Sequence, residues 1–337
     1  MVNIKLLLVN YVEKSLIVEL NKKGYEIVVA NTREKTHLVS EVDLKKFDLI
    51  YFAKFTPPQW DDVNILFNKL KRPVIYAFHS NAIIFNPFRF HNYVHNAISL
   101  IKLSYMKIAK PVSALHVLNT SEYKLLKLFG FNCYYSPLGV DTKQFKPGVK
   151  STRFTIIFMN PRYQKGVDML TKIVPKVLRK APDLKFLFLV GRGSFLREYF
   201  DFLKKSFRDN VEVYEYLPQR RLRELFSSSH LLLFPSRYET FGIVVLEALS
   251  SGMPIVCYNI SGAPKDVVKK YGVGTVANPF NIDEIIDGIL YYYQLWKNSA
   301  GDFRRLSETC RKVALKYDWS IIASMFDNMF RTVLLQN

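Results

Sequence analysis

Short apolar runs alternate along the first half of the chain with longer segments of helical period. The runs have the length and β-branched content of buried strands, and they span 4–10, 25–31, 47–53, 72–78, 113–118 and 133–138. Helix candidates lie between them, at about 11–23, 58–70, 91–110 and 120–130. Strands separated by helices are typical of a parallel sheet with helices on both faces. The first half is therefore predicted to be a doubly wound α/β domain.

The same alternation starts again after a polar connection that contains Gly and Pro, at 139–153. The second set of strands is expected at 153–159, 185–191, 211–216, 230–235 and 254–259. Helix candidates follow at about 167–180, 194–207, 219–228 and 242–251, and the chain becomes helical from about 281. The prediction is an N-terminal domain at 1–148, a C-terminal domain at 149–318 and a terminal helix at 319–337 that packs back on the first domain.

Composition supports two folded domains and adds a strong positive charge. The chain has 337 residues, of which 49% are hydrophobic, and 48 Lys and Arg against 29 Asp and Glu give a net charge of +19. A surface of this kind attracts anions, so nucleotides, nucleic acid and anionic lipid are the candidate partners. Three widely spaced cysteines suit neither a disulfide framework nor a cysteine-based zinc site, and they favour a reducing cytoplasm.

The N-terminal apolar run predicts a buried strand and lacks the small-residue cleavage region of a signal peptide. No run reaches the ~18 apolar residues that would span a bilayer. We therefore expect a cytoplasmic protein, with at most a peripheral position on the cytoplasmic face of a membrane.

Candidate chemistry is concentrated in the stretch PSRYETFGIVVLEALSSGMPIV, residues 235–256. Pro235 ends a predicted strand, a helix is expected to begin near Gly242, and Glu239 and Glu247 lie on either side of that junction. A helix N-terminus presents unpaired amides and a partial positive charge, which suit phosphate or sugar oxygens. Carboxylates accept hydrogen bonds from the hydroxyls of a ribose or hexose. From the residues alone, Glu239 could equally cap the helix and Glu247 could face solvent.

This stretch resembles the signature of glycosyltransferase family 4, in which two glutamates flank a Phe-Gly-aliphatic turn. Three further segments resemble elements of that family: MNPRYQKGVDML (159–170), FLVGRGS (188–194) and YYSPLGVDTKQFKP (134–147). The resemblance covers about 113–337 and is weak over the first hundred residues. It implies a GT-B fold, with two Rossmann-like doubly wound parallel-sheet domains facing an interdomain cleft.

The resemblance also implies a role for each matching residue. Arg162 and Lys165 would hold the pyrophosphate of a nucleotide-sugar donor, a task for which a planar guanidinium and a compact ammonium are chemically suited. Glu247 would bind the nucleotide ribose and Glu239 the transferred sugar. The remaining donor contacts would come from Thr240, Phe241, Gly242 and Ile243. The family retains anomeric configuration without an accepted enzymic nucleophile, so catalysis would consist mainly of assisting the departure of the diphosphate.

The histidines have different interpretations. His79 ends a predicted strand where the family often places a histidine against the donor sugar, although anchoring of the loop is the alternative. His116 lies within an apolar run and is expected to be a core residue with its hydrogen bonds satisfied. His91 and His95 have metal-ligand spacing, but no neighbouring carboxylates support zinc. We expect neither a metal nor another cofactor, the nucleotide sugar being the substrate.

Two departures from the family pattern concern the residues expected to approach the donor and the acceptor. The segment after the first strand, VNYVEKS, lacks the glycine pair that the family commonly has there. The interval between Arg162 and Lys165 is also shorter than usual. The first departure motivates an alternative function, a catalytically silent protein that binds nucleotide sugars.

The first domain has a basic, aromatic-rich segment at 83–111, and one acid, Glu122, lies between Asp62 and Asp141. Such a surface suits an anionic bilayer, which favours a lipid-linked or membrane-associated glycan as acceptor. A solvated lysine surface is the alternative. Nucleic acid is disfavoured because no recognition motif accompanies the charge, although glycosylation of DNA bases stays an alternative that the net charge motivates.

Overall fold

The computed structural model describes residues 3–10, 13–30, 43–54, 72–78, 112–159, 162–190 and 197–336. Its contacts divide the chain into two units, Met1–Gly139 with Trp319–Asn337 and Val140–Asp318. The sequence places the first boundary at 148, whereas the units divide after Gly139. The Val140 amide donates to the carbonyl of Tyr317 at 2.9 Å, which ties the start of the connection to the second unit.

A six-stranded parallel sheet forms the centre of the first unit. Its strands are β1 (Ile4–Val9), β2 (Tyr25–Ala30), β3 (Leu49–Lys54), β4 (Val74–Phe78), β5 (Ala114–Val117) and β6 (Cys133–Tyr135). They lie in the order β2-β1-β3-β4-β5-β6. Two helices of this unit are α1 (Lys14–Lys22) and α2 (Thr120–Leu128). The helix candidates at 58–70 and 91–110 lie outside the described residues.

The second unit contains another six-stranded parallel sheet. Its strands are β7 (Thr155–Met159), β8 (Lys185–Leu189), β9 (Val211–Tyr214), β10 (Leu231–Phe234), β11 (Ile255–Tyr258) and β12 (Gly274–Ala277). They lie in the order β12-β11-β10-β7-β8-β9, so the chain moves outward in one direction from β7 and then returns to β10 on its other side. The predicted doubly wound arrangement is confirmed in each unit.

Helices of the second unit follow the predicted segments. They are α3 (Leu170–Lys180), α4 (Arg197–Ser206), α5 (Gln219–Ser228), α6 (Ile243–Ser250), α7 (Ile282–Asn298) and α8 (Ala300–Leu315). In α3 the buried positions recur at helical spacing, at Leu170, Ile173, Val174, Val177 and Leu178. They pack in one core with alternate residues of the sheet, among them Phe158 and Phe188.

β12 is an element that the sequence did not predict. It is a short edge strand whose first three residues are half-buried, so it carries neither a long apolar run nor a clear alternation. Gly274 opens it because a Cβ there would collide with the carbonyl oxygen of Ile255 on β11. The glycine that weakens the strand signal is the residue that allows this pairing.

The terminal helix α9 (Trp319–Leu335) belongs to the first unit and packs against α1. Phe330 contacts the rings of Tyr25 and Tyr51, with centroids 5.9 and 5.5 Å away. The Tyr25 hydroxyl donates to Asp327 Oδ1 at 2.8 Å. Within the described part of the chain, no helix combines the length and apolar character that crossing a bilayer requires.

His116 is a core histidine, as predicted. It has no exposed surface, and its Nε2 lies 3.0 Å from the carbonyl oxygen of Ser136. Because a carbonyl only accepts, Nε2 carries the proton and Nδ1 accepts from the Tyr51 hydroxyl at 2.7 Å. Burial lowers the pKa of His116 to about 4, so the ring is neutral at physiological pH.

His230, the residue before β10, links the stability of the second unit to pH. Its ring stacks on Phe154, and its Nδ1 accepts from the Thr155 amide at 3.1 Å. Burial, with a smaller contribution from the Lys150 charge, lowers the pKa of His230 to about 3. Because an unfolded histidine titrates near ~6.5, the unfolded chain binds the proton first as the pH falls.

The free energy of unfolding should therefore decrease from about pH 6.5 downward, by up to ~1.4 kcal/mol per pH unit for this residue. Urea titrations between about pH 7 and about pH 5 measure that slope. His230→Gln, which keeps an acceptor for the Thr155 amide, should show a shallower decline. An unchanged slope would contradict the assignment.

Candidate functional site

Two loops leave neighbouring strands where the strand order of the second sheet reverses. β7 and β10 pair in parallel, with Leu231 opposite Ile156 and Leu232 opposite Ile157. Their carboxyl ends therefore lie side by side. In open parallel sheets, ligands bind beyond the carboxyl ends of the strands at such a reversal. The loops that follow β7 and β10 are accordingly where a ligand is expected.

The loop after β7 carries Arg162 and Lys165 around a short 3₁₀ turn, Tyr163–Lys165. The Lys165 amide donates to the carbonyl of Arg162 at 2.8 Å and closes the turn. The Arg162 side chain is exposed, whereas Lys165 is half-buried. Gly166 follows with φ 78°, and a Cβ there would collide with the carbonyl oxygen of Pro235. A glycine is therefore required where this loop touches the loop after β10.

Lys165 and Glu239 form an ion pair between the two loops, from Nζ to Oε1. Their side chains are only 17% and 8% exposed, so the pair is largely removed from water. The ammonium also lies 5.3 Å from the centroid of the Phe234 ring at the end of β10. A half-buried cation and a buried carboxylate thus meet at the reversal point.

The turn from Glu239 into α6 leaves the helix start without a side-chain cap among the described residues. Phe241 is 1% exposed, and Gly242 takes φ 92° and ψ 63°, a conformation that glycine adopts without strain. The Cγ of Glu239 lies 3.7 Å from where a Gly242 Cβ would stand. The amide-bearing first turn of α6 therefore begins directly beside the carboxylate, as the sequence predicts.

The other predicted residues lie on or beside the same helix. Thr240 and Ile243 are half-buried, and so is Glu247 one turn into α6. Ile243 and Glu247 are four residues apart and share one face of the helix. His79, His91 and His95 lie outside the described residues. In the described ranges no three His, Cys, Asp or Glu side chains cluster as metal ligands would.

Arg237 is a residue of this site that sequence reasoning missed. It is 7% exposed and binds both carboxylate oxygens of Asp168, at 2.8 and 2.7 Å. Its guanidinium lies 3.8 Å from the centroid of the Tyr163 ring and donates to the Tyr163 carbonyl. The sequence carries no signal for this residue, because the burial that makes a partner necessary is visible only in the structure.

Residues 140–308, half of the chain, match the family of glycosyl transferases group 1. The chain belongs to this family. The matched range contains Arg162, Lys165, Glu239 and Glu247, and it also contains the Arg237 and Asp168 pair.

Two curated relatives illustrate the range of the group 1 family. One component of the phosphatidylinositol N-acetylglucosaminyltransferase of Arabidopsis thaliana is 31% identical over 183 residues, 50% of this chain and 39% of that protein. A sulfoquinovosyl transferase of the same plant is 22% identical over 326 residues, 90% of this chain and 60% of that protein. The chain thus spans about half the length of the curated relatives it matches.

Solved structures establish the fold. Sucrose-phosphate synthase from Thermosynechococcus elongatus aligns over 99% of this chain and 100% of its own, with a TM-score of 0.77 at 14% identity. An Anabaena protein in complex with UDP and glucose aligns over 98% of this chain and 100% of its own, with a TM-score of 0.71 at 15% identity. The predicted GT-B fold is confirmed for this member of the family of glycosyl transferases group 1.

Proposed function

We propose that this chain is a retaining glycosyltransferase of family 4, which transfers a sugar from a UDP- or GDP-sugar to a hydroxyl acceptor. The observation that carries the proposal is the contact of Lys165 with Glu239 beside the uncapped start of α6. These groups match the parts of such a donor. A diphosphate binds to cations and backbone amides, and the hydroxyls of a hexose donate hydrogen bonds to a carboxylate. The Anabaena protein of the same fold holds UDP and glucose.

In the proposed donor complex, Lys165 and Arg162 hold the diphosphate together with the amides of Phe241, Gly242 and Ile243. Glu239 accepts hydrogen bonds from the sugar, Glu247 accepts them from the ribose, and Thr240 adds a polar contact. Lys165 is half-buried and paired, whereas Arg162 is exposed. We therefore assign Lys165 to the phosphate next to the sugar and Arg162 to the outer side of the diphosphate.

In the proposed reaction, the acceptor oxygen bonds to the anomeric carbon on the face from which the diphosphate leaves. The bond from that carbon to the phosphate oxygen breaks, and its electron pair stays on the diphosphate. The acceptor proton passes to the departing phosphate oxygen. Lys165 stabilises the charge that develops there, and Glu239 positions the sugar near the oxocarbenium-like carbon. We further propose that His79, which lies outside the described residues, contacts the sugar.

We further propose a lipid-linked or membrane-associated glycan as acceptor, with the protein peripheral on the cytoplasmic face of a membrane. One relative is named for N-acetylglucosaminyl transfer involving phosphatidylinositol. In the first unit, Leu128 and Phe129 are 81% and 48% exposed at the end of α2, next to the exposed Lys127. Apolar side chains beside cations are typical of contacts with anionic headgroups.

A donor screen tests the function. The protein is incubated with radiolabelled UDP-, GDP- and dTDP-sugars, with and without EDTA, and with phosphatidylinositol vesicles, DNA or water as acceptor. We expect one nucleotide to raise the thermal midpoint, slow hydrolysis of its sugar donor, and transfer into the vesicle fraction. EDTA should leave the rate unchanged, because Lys165, Arg162 and the α6 amides are proposed to meet the diphosphate charge.

The possible outcomes separate the alternatives. Nucleotide-induced stabilisation without transfer or hydrolysis would identify a silent donor-binding protein. Incorporation into DNA would identify the base-glycosylating alternative. If no nucleoside diphosphate stabilises the protein and no donor is consumed, the proposed function is wrong.

A further inference from the structure

Arg237 contacts the loop after β7 although it belongs to the loop after β10. Its Nη1 and Nη2 atoms donate to the two carboxylate oxygens of Asp168, and Nη1 also donates to the carbonyl of Tyr163. One face of the guanidinium is covered by the Tyr163 ring, whose centroid lies 3.8 Å away. Both terminal nitrogens are therefore engaged within the protein, and they tie the loop after β10 to the loop after β7.

Main-chain contacts extend this junction on both sides of the guanidinium. The Arg237 amide donates to the carbonyl of Gln164 at 2.8 Å, and Gln164 Nε2 donates to the carbonyl of Tyr238 at 3.1 Å. Gly166 lies directly against the backbone of Pro235. The tied residues flank Lys165 on one loop and precede Glu239 on the other. The junction thus encloses the ion pair that the two loops share.

We propose that Arg237 is a positioning residue. Through Asp168 and Tyr163 it holds the Lys165 ammonium at the binding position of the donor's second phosphate, the phosphate next to the sugar. This role rests on the proposed function. A lysine side chain has a flexible four-carbon stem, so the position of its charge depends on how firmly its backbone is held. The planar guanidinium fork, bidentate and stacked, is suited to fixing one loop against another.

Loss of the junction should weaken the binding of the ligand's second phosphate and leave the binding of the rest of the ligand nearly unchanged. With the loop after β7 released, donor binding must order it again, and Lys165 samples positions away from the phosphate. Losing a charge-assisted hydrogen bond to that phosphate should weaken its binding by ~10- to 100-fold. Nucleoside monophosphates lack the second phosphate, so their binding should change little.

The experiment compares dissociation constants for UDP and UMP, and for GDP and GMP, measured by calorimetry on the full chain. In Arg237→Met we expect the diphosphate of the preferred base to bind ~10- to 100-fold more weakly, and its monophosphate to change by less than ~3-fold. Arg237→Lys should not restore the affinity, because an ammonium lacks the fork. Combining Arg237→Met with Asp168→Asn should cost little more than Arg237→Met alone, because the two act as a unit.

The double variant guards against a folding defect because it leaves no buried charge unpaired, and Asp168, with 46% of its side chain exposed, loses only its charge. Arg153→Met is the matched control. Arg153 also binds backbone carbonyls with its guanidinium, those of Asp183 and Asp209 at 2.9 and 2.6 Å, but it lies at the opposite end of β7. The Arg153→Met variant should have the same ratio of diphosphate affinity to monophosphate affinity as the wild type.

The result that overturns the role is specific. If the folded variants lose diphosphate and monophosphate affinity equally, or keep the wild-type preference, Arg237 does not position Lys165. A wild-type protein that binds UDP and GDP no better than UMP and GMP would instead remove the assignment of Lys165 to the second phosphate, and this role with it. The proposed function itself fails if the wild-type protein binds no nucleoside diphosphate and consumes no donor.

Discussion

Replacing Lys165 with methionine is expected to lower sugar transfer by about 10²- to 10³-fold, because the departing diphosphate loses a preorganised cation. The same substitution leaves the Glu239 carboxylate, on a side chain only 8% exposed, without the ammonium that neutralises it. Removing one member of a largely buried ion pair costs about 3 kcal/mol of folding free energy. Lys165→Met should therefore be both slow and destabilised.

Glu239→Gln separates binding from transfer. In the ligand-free protein Glu239 is paired with Lys165, so a diphosphate must compete with that carboxylate for the ammonium. With glutamine in its place, free UDP or GDP should bind more tightly, while transfer falls because the sugar loses a charged hydrogen-bond acceptor. Weaker nucleotide binding in this variant would contradict the proposed arrangement.

The double variant Lys165→Met/Glu239→Gln has no unpaired charge, so it should recover most of the stability lost in Lys165→Met and none of the activity. Urea denaturation and donor turnover measure the two effects separately. The Lys185–Glu212 pair on β8 and β9 is a matched control, with side chains 25% and 42% exposed. Lys185→Met should change stability by less than about 1 kcal/mol and leave transfer intact.

The sequence predicted the members of this site more readily than their contact. Lys165 and Glu239 are 74 residues apart in the sequence. They meet because β10 pairs with one edge of β7, whereas the intervening strands β8 and β9 lie on the other side of β7. Apolar periodicity identifies each strand but carries no information on which strands become neighbours. The junction made by Arg237 is hidden for the same reason, since its partner Asp168 lies on the other loop.

The missing glycines after β1 show a different limit. Asn10 takes φ 59° at the end of that strand, in the left-handed region that glycine usually occupies. Asparagine tolerates this conformation better than most residues because its short polar side chain finds local hydrogen bonds. The sequence showed only that glycine is absent from this segment. The structure shows that the residue at this strand end, Asn10, nevertheless adopts a left-handed backbone conformation.

A third loop supports the turn that begins α6, and Gly262 is its critical residue. The Ala263 amide donates to the carbonyl of Phe241 at 2.7 Å. Gly262 has φ 87°, and a Cβ there would lie 2.6 Å from the Phe241 carbonyl oxygen and 3.0 Å from its Cα. These are backbone atoms, so an added methyl must displace the turn itself.

Gly262→Ala is therefore expected to lower the free energy of unfolding by about 2–4 kcal/mol, combining left-handed strain with overpacking. A shift of the α6 amides should also lower diphosphate affinity and sugar transfer by roughly 10²-fold. Gly272→Ala is the matched control, because Gly272 has φ 64° with nothing within 4 Å of its Cβ position. It carries the strain of about 1 kcal/mol without the collision and should retain transfer. If the two variants unfold at the same denaturant concentration and transfer at the same rate, the contact with Phe241 does not hold the site in place.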